Sequence, residues 1–178
     1  MLSTIPNLIT GMRFILVIPI SIYIYQGNEL WALILFIIAG LSDGLDGYLA
    51  RKYDLESEIG SILDPIADKI LVSFLIIALS VDLGSSLIGL MGGMILAREF
   101  WVGALRDLNA RNRTLEATNV TFLAKIKTTI QFLALFGFLL GLYLGSALIL
   151  FLSHFFLFLA LIITIQTGLS YTIATLKR

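Results

Sequence analysis

DGLDGYLARKYDLESEIGSILDPIAD, residues 43–68, sets four carboxylates, Asp43, Asp46, Asp64 and Asp68, inside or beside two very apolar runs. An aspartate at the centre of a membrane helix costs roughly 2.5–3.5 kcal/mol, so four of them require a compensating partner. At about 100° per residue, Asp43, Asp46, Gly47, Ala50 and Arg51 fall on one helical face. Gly60, Asp64 and Asp68, spaced four apart, form a second face. Two such helices facing each other would bring the four carboxylates together, with glycines leaving room for a ligand. The pattern is that of a cation site. Oxygen donors without His or Cys suit Mg²⁺, Mn²⁺ or Ca²⁺ rather than zinc, and two such ions would form a clamp suited to phosphoryl displacement. Asp54, Glu56 and Glu58 lie in a polar turn beside Arg51 and Lys52, where capping and local pairing account for them.

Outside this stretch the chain is mostly hydrocarbon. Of its 178 residues, 58% are hydrophobic and 13% charged, with a mean hydropathy of +0.98. A soluble domain of this size could not hide that much apolar surface, so the class is an all-α integral membrane protein. Six spans of about 20 residues are expected, over 6–25, 30–50, 59–81, 86–106, 122–144 and 146–173. Pro6 suits a first helical turn, and Pro19 predicts a kink in the first span. Short connections make neighbouring helices antiparallel within a single domain, residues 1–178. A net charge of zero gives no basis for nucleic-acid binding, and the lack of cysteine excludes disulfides and thiol nucleophiles. MLSTIPN carries no Lys or Arg, so no cleaved signal peptide is expected.

Charge fixes the expected orientation. The connections around Gly27, Gly84 and Gly145 contain no Lys or Arg. The opposite end holds Arg51, Lys52, Arg106, Arg111, Arg113, Lys125, Lys127, Lys177 and Arg178. The positive-inside rule therefore predicts both termini, and all four aspartates, on the cytoplasmic side of the cell membrane. The polar segment 107–119 is read as either a short interfacial helix or an ordered loop.

The spacing D-x2-D-G-x2-A-R-x8-G-x3-D-x3-D, from Asp43 to Asp68, resembles the complete signature of the CDP-alcohol phosphatidyltransferase family. The resemblance implies a six-helix membrane fold that transfers a phosphatidyl-type group from a CDP-linked lipid to an alcohol, releasing CMP. It further implies two Mg²⁺ or Mn²⁺ ions held by Asp43, Asp46, Asp64 and Asp68, with Asp68 also the general base. Gly47, Ala50 and Gly60 would admit the cytidine close to the backbone, Arg51 would bind phosphate, and Asn7 would approach the same site. IPNLITGMR, LDPIADKILV, REFWVGALR and AKIKTTIQ resemble the phosphatidylglycerophosphate synthase branch, with Ala124 where that branch commonly has Gly. The substrates implied are CDP-diacylglycerol and sn-glycerol 3-phosphate. A phosphorylated acceptor needs cations, and Arg98, Arg106, Lys125, Lys127 and Arg13 are the candidates; Arg13 could instead snorkel to the interface. The cardiolipin synthase branch, which takes phosphatidylglycerol, is the alternative. A divalent cation transporter is the third reading, and acids crowded at one end of otherwise apolar helices speak against it.

Arg98 and Glu99 sit deep enough in the fourth span to require pairing. Lys125 and Lys127 open the fifth, where the helix dipole disfavours cations, so an anionic substrate explains them better than helix chemistry does. Gly137, Gly141 and Gly145 predict close packing, either within the bundle or along a homodimer seam. His154, in a Phe-rich run without a nearby carboxylate, is expected to have no catalytic role.

Overall fold

The computed structural model describes residues 4–52, 58–111 and 122–176, with the side chains of 4–10, 43–51, 58–59, 61–62, 64 and 122–125 outside the description. Six helices account for nearly all of it: α1 Thr4–Tyr25, α2 Glu29–Lys52, α3 Glu58–Asp82, α4 Ser86–Arg111, α5 Phe122–Leu144 and α6 Ala147–Leu176. No strand occurs among the described residues. α4, a 19-residue stretch of α5, and α6 are each long and apolar enough to cross a membrane, and two shorter apolar stretches, Gly11–Tyr25 and Glu29–Ser42, lie in α1 and α2.

Each expected span falls on one helix. α1 runs without interruption through Pro19. The largest difference is at α4, which continues five residues past the expected end. Its last turn is held by an exposed Arg111–Asp107 pair at 2.7 Å, one turn apart. It is also held by Asn109, buried and donating to Thr175 Oγ1 at 3.0 Å. The first part of the segment 107–119 is therefore helix; the rest lies outside the described residues.

The three connections described in full share one construction. Gly27, Gly84 and Gly145 each adopt a left-handed φ, of 69°, 56° and 61°. In each, the glycine N–H bonds a carbonyl three residues back and the next N–H one five residues back. The pairs are Gly27 to Ile24 and Asn28 to Tyr23, Gly84 to Val81 and Ser85 to Ser80, and Gly145 to Leu142 and Ser146 to Gly141. This is the Schellman ending, which satisfies the carbonyls that a helix C-terminus would otherwise leave open. Ser85 Oγ and Ser146 Oγ then accept from the N–H groups of Ile88 and Ile149, capping the following helix. Three helical hairpins result, α1–α2, α3–α4 and α5–α6.

These hairpins close into a ring in which α1 packs on α2, α2 on α5, α5 on α6, α6 on α4, α4 on α3 and α3 on α1, with α3 also touching α5. The aspartate-bearing helices α2 and α3 thus stand at opposite corners of a four-helix group completed by α1 and α5. The core lies toward the glycine turns and includes Val17, Ile20, Phe36, Leu71, Leu75, Leu79, Ile88, Leu135 and Phe138. Ile15, Ile18, Phe74, Leu90, Phe151 and Phe155 are exposed on the outer faces, as lipid-facing side chains would be. Gly137 and Gly141 resolve to internal packing. A Cβ on Gly141 would stand 2.9 Å from Leu150 Cδ2 and 3.2 Å from the Leu150 backbone nitrogen on α6, while Gly137 is pressed against Ser153. Gly145 belongs to the turn.

Candidate active site

The four aspartates lie where the periodicity puts them, in the last turns of α2 and the first turns of α3. The side chains of Asp43, Asp46 and Asp64 lie outside the described residues, as do those of Asn7, Gly47, Ala50, Arg51 and Lys125. Among the described residues no three His, Cys, Asp or Glu side chains form a metal cluster. Asp68 is described. It is one-third exposed, and Arg13 Nη1 donates to its Oδ1 at 2.6 Å. Arg13 itself is completely buried on α1. Arg13, one of the sequence candidates for an acceptor phosphate, holds the Asp68 carboxylate through a charge-assisted bond.

Asp68 opens onto a cavity of about 470 Å³ between α3, α4 and α5. Among the described residues Lys69, Arg98, Arg106 and Lys127 line it with Asp68 and Glu99, four cations to two carboxylates. The burial of two of these cations is what matters. Arg98 and Lys127 side chains are 9% and 7% exposed. Both donate to the same atom, Glu99 Oε1, Arg98 Nη1 at 3.0 Å and Lys127 Nζ closer still. One carboxylate oxygen shared by two buried cations leaves positive charge uncompensated in a medium where charge is costly. Lys69 reaches across from α3, its Nζ 3.9 Å from where a Cβ on Gly103 would stand. Arg106 donates to Tyr171 Oη at 3.3 Å, and its guanidinium lies 5.3 Å from the centre of that ring.

α6 stands behind α4 and holds its polar side chains. Arg98 Nη2 donates to Thr167 Oγ1 at 2.7 Å, Trp101 Nε1 to Thr172 Oγ1 at 2.9 Å, and Asn109 Nδ2 to Thr175 Oγ1. Each threonine hydroxyl sends its own proton to the carbonyl four residues earlier, at Ile163, Gly168 and Tyr171 respectively. That leaves each oxygen free to accept from α4. Gly168 admits the Arg98 side chain, whose Cγ would lie 2.9 Å from a Cβ there. Arg98 also lies 5.9 Å from the Tyr171 ring centre. The signal available in sequence was Thr167, Tyr171 and Thr175 recurring four apart on one face of α6.

Comparison with known proteins decides the family. The family model for CDP-alcohol phosphatidyltransferase matches residues 3–166. The chain belongs to the CDP-alcohol phosphatidyltransferase family. It is 38% identical over 175 residues to a protein of Rickettsia felis named CDP-diacylglycerol–glycerol-3-phosphate 3-phosphatidyltransferase, covering 95% of this chain and 93% of that one. A protein of Rickettsia typhi with the same name is 38% identical over 176 residues, 96% of each chain. One of Salmonella typhimurium, also so named, is 34% identical over 135 residues, 74% of each. Within this family the chain is a membrane phosphatidyltransferase enzyme of phospholipid synthesis.

His154 Nδ1 lies 2.8 Å from the Leu150 carbonyl and its ring meets Phe138 edge-on at 4.8 Å.

Proposed function

We propose that this chain transfers the phosphatidyl group of CDP-diacylglycerol to sn-glycerol 3-phosphate, releasing CMP, as one membrane domain spanning residues 1–178. The observation that carries the acceptor assignment is the pair of buried cations, Arg98 and Lys127, that share one carboxylate oxygen beside two further lining cations, Lys69 and Arg106. A phosphate monoester carries about −1.5 to −2 charges near neutral pH, which matches this surplus among the described lining residues. Phosphatidylglycerol, with a singly charged diester, matches it less well. The names of the relatives point the same way.

The carboxylate set fits a hard divalent ion, since it offers only oxygen donors and Asp68 opens on the cavity. Asp43, Asp46, Asp64 and Asp68 would hold two Mg²⁺ or Mn²⁺ ions, which supply positive charge against the donor diphosphate. Gly47, Ala50, Gly60, Arg51 and Asn7 would receive the CDP moiety. Arg98, Arg106 and Lys127, joined by Lys125 at the head of α5, would hold the acceptor phosphate. Asp68, oriented by Arg13, accepts the proton of the attacking primary hydroxyl. That oxygen bonds to the phosphatidyl phosphorus, the bond from this phosphorus to the CMP oxygen breaks, and CMP leaves with the electron pair. Acyl chains stay in the bilayer while the head group meets the soluble acceptor.

The six helices span the membrane with both termini, and this cavity, facing the cytoplasm. The support is the absence of Lys and Arg from the three glycine turns and their abundance at the other end. The test is a panel assay: purified protein, CDP-diacylglycerol and Mg²⁺ or Mn²⁺, with glycerol 3-phosphate, phosphatidylglycerol, serine or inositol phosphate offered in parallel. CMP release with glycerol 3-phosphate alone is expected. Release with phosphatidylglycerol and none with glycerol 3-phosphate would reassign the enzyme to cardiolipin synthesis.

A further inference from the structure

Most of the polar groups lining the cavity have partners. Arg98 and Lys127 hold Glu99, Arg13 holds Asp68, and Arg106 holds Tyr171. Thr128 and Thr129 are engaged as well. Gln131 differs. Its side chain lines the cavity, the residue is only 6% exposed, and its Nε2 is buried without a hydrogen-bond partner. Buried amide donors are nearly always bonded, so an open one in a cavity wall marks a place where something else supplies the acceptor.

Position narrows what that partner is. Gln131 follows Lys127 by four residues, so it lies on the same face of α5, about 6 Å further along the axis toward the core. Its neighbours in the lining are Val72, Ile95 and Phe132, so the cavity turns from charged to apolar at this depth. The open atom is a neutral amide donor; it brings no countercharge to a phosphate dianion, which the cations already serve, and it suits the oxygen of a hydroxyl group. Glycerol 3-phosphate carries two hydroxyls beyond its phosphoester carbon. With the phosphate among Arg98, Arg106 and Lys127 and the primary hydroxyl at Asp68, the secondary hydroxyl is the polar group left to meet Gln131.

We infer that Gln131 is the residue through which the cavity recognises the secondary hydroxyl of the acceptor, making the enzyme selective for a glycerol rather than a simple alkanol phosphate. This rests on the acceptor assignment above and deepens it. A site built to bond a hydroxyl rejects the analogue lacking it, because the amide is then buried unpaired.

The experiment compares sn-glycerol 3-phosphate with 3-hydroxypropyl phosphate, which lacks only that hydroxyl, in the intact enzyme with CDP-diacylglycerol in detergent micelles. Wild type is expected to favour glycerol 3-phosphate by at least about tenfold in kcat/KM. Gln131→Leu and the closer isostere Gln131→Met are expected to lose about ten- to a hundredfold toward glycerol 3-phosphate and to change by less than about twofold toward the deoxy acceptor. The ratio is taken within one preparation, so a reduced folded fraction cancels. A wild-type enzyme that does not discriminate, or variants that keep the preference, overturn the inference. If wild type uses neither phosphate but does use phosphatidylglycerol, the acceptor assignment itself fails and takes this inference with it.

Discussion

The two ends of the bundle solve opposite problems. At the glycine end every connection is the same short Schellman turn, and helix ends satisfy their own backbone groups. Behind these turns the interior is largely hydrocarbon, with Ser153 bonded back to the Ile149 carbonyl. Helices α5 and α6 meet there at glycine distance. At the other end, charges replace hydrocarbon, a cavity opens, and polar groups find partners on other helices, as Arg13 does on Asp68 and Arg98 on Thr167. A membrane enzyme that must admit water, a nucleotide and an anion cannot pack tightly where it reacts, so its packing is concentrated at the far end.

That division is open to breakage from either side, and substitutions at the charged end should cost activity most. Asp68→Asn is expected to lower kcat by about a thousandfold while CDP-diacylglycerol still binds, since it would remove the proposed base and one proposed oxygen ligand. Near-normal turnover in a rapid-quench assay would end the assignment of Asp68. Next comes Lys127→Ala, expected to raise KM for glycerol 3-phosphate about ten- to a hundredfold, a loss of roughly 1.4–2.8 kcal/mol. KM for CDP-diacylglycerol should hardly move; equal increases in both would mean that Lys127 supports the whole site rather than the acceptor.

Substitutions at the glycine end should cost stability instead. Gly141→Leu forces side-chain atoms into Leu150, including a backbone nitrogen 3.2 Å away that cannot yield without moving α6. A loss of about 1–3 kcal/mol in detergent unfolding is expected, with KM for both substrates preserved below the transition. Gly145→Ala meets no atom within 4 Å, so only its left-handed φ of 61° is strained. It should lose about 1 kcal/mol and leave kcat unchanged. A large loss of activity in either variant, with stability intact, would show that the two ends are not separable.

Much of this contrast was legible in sequence. Hydropathy and glycine turns without Lys or Arg locate all six helices. Arg98 and Glu99 announce themselves because a charge in an apolar helix must be paired, and the pair appears at 3.0 Å; Lys127 does so because the dipole at the head of α5 disfavours a cation. What escaped depends on which helices are neighbours, something periodicity does not encode. Arg13 and Asp68 lie 55 residues apart, and nothing local says that α1 stands behind α3. Thr167, Thr172 and Thr175 look like tolerated polar residues in an apolar helix until α4 is laid beside them. Gln131 is an ordinary residue of α5 until the cavity gives its open amide a meaning. The α4 extension to Arg111 was hidden for the same reason, since its support comes from α6.

The most direct test is to see the acceptor in place. A cryo-electron microscopy structure of Asp68→Asn with CDP-diacylglycerol and glycerol 3-phosphate should show the acceptor phosphate among Arg98, Arg106 and Lys127, with its primary hydroxyl toward position 68. A phosphate bound elsewhere, with those three side chains still closed on Glu99 and Tyr171 alone, would contradict it.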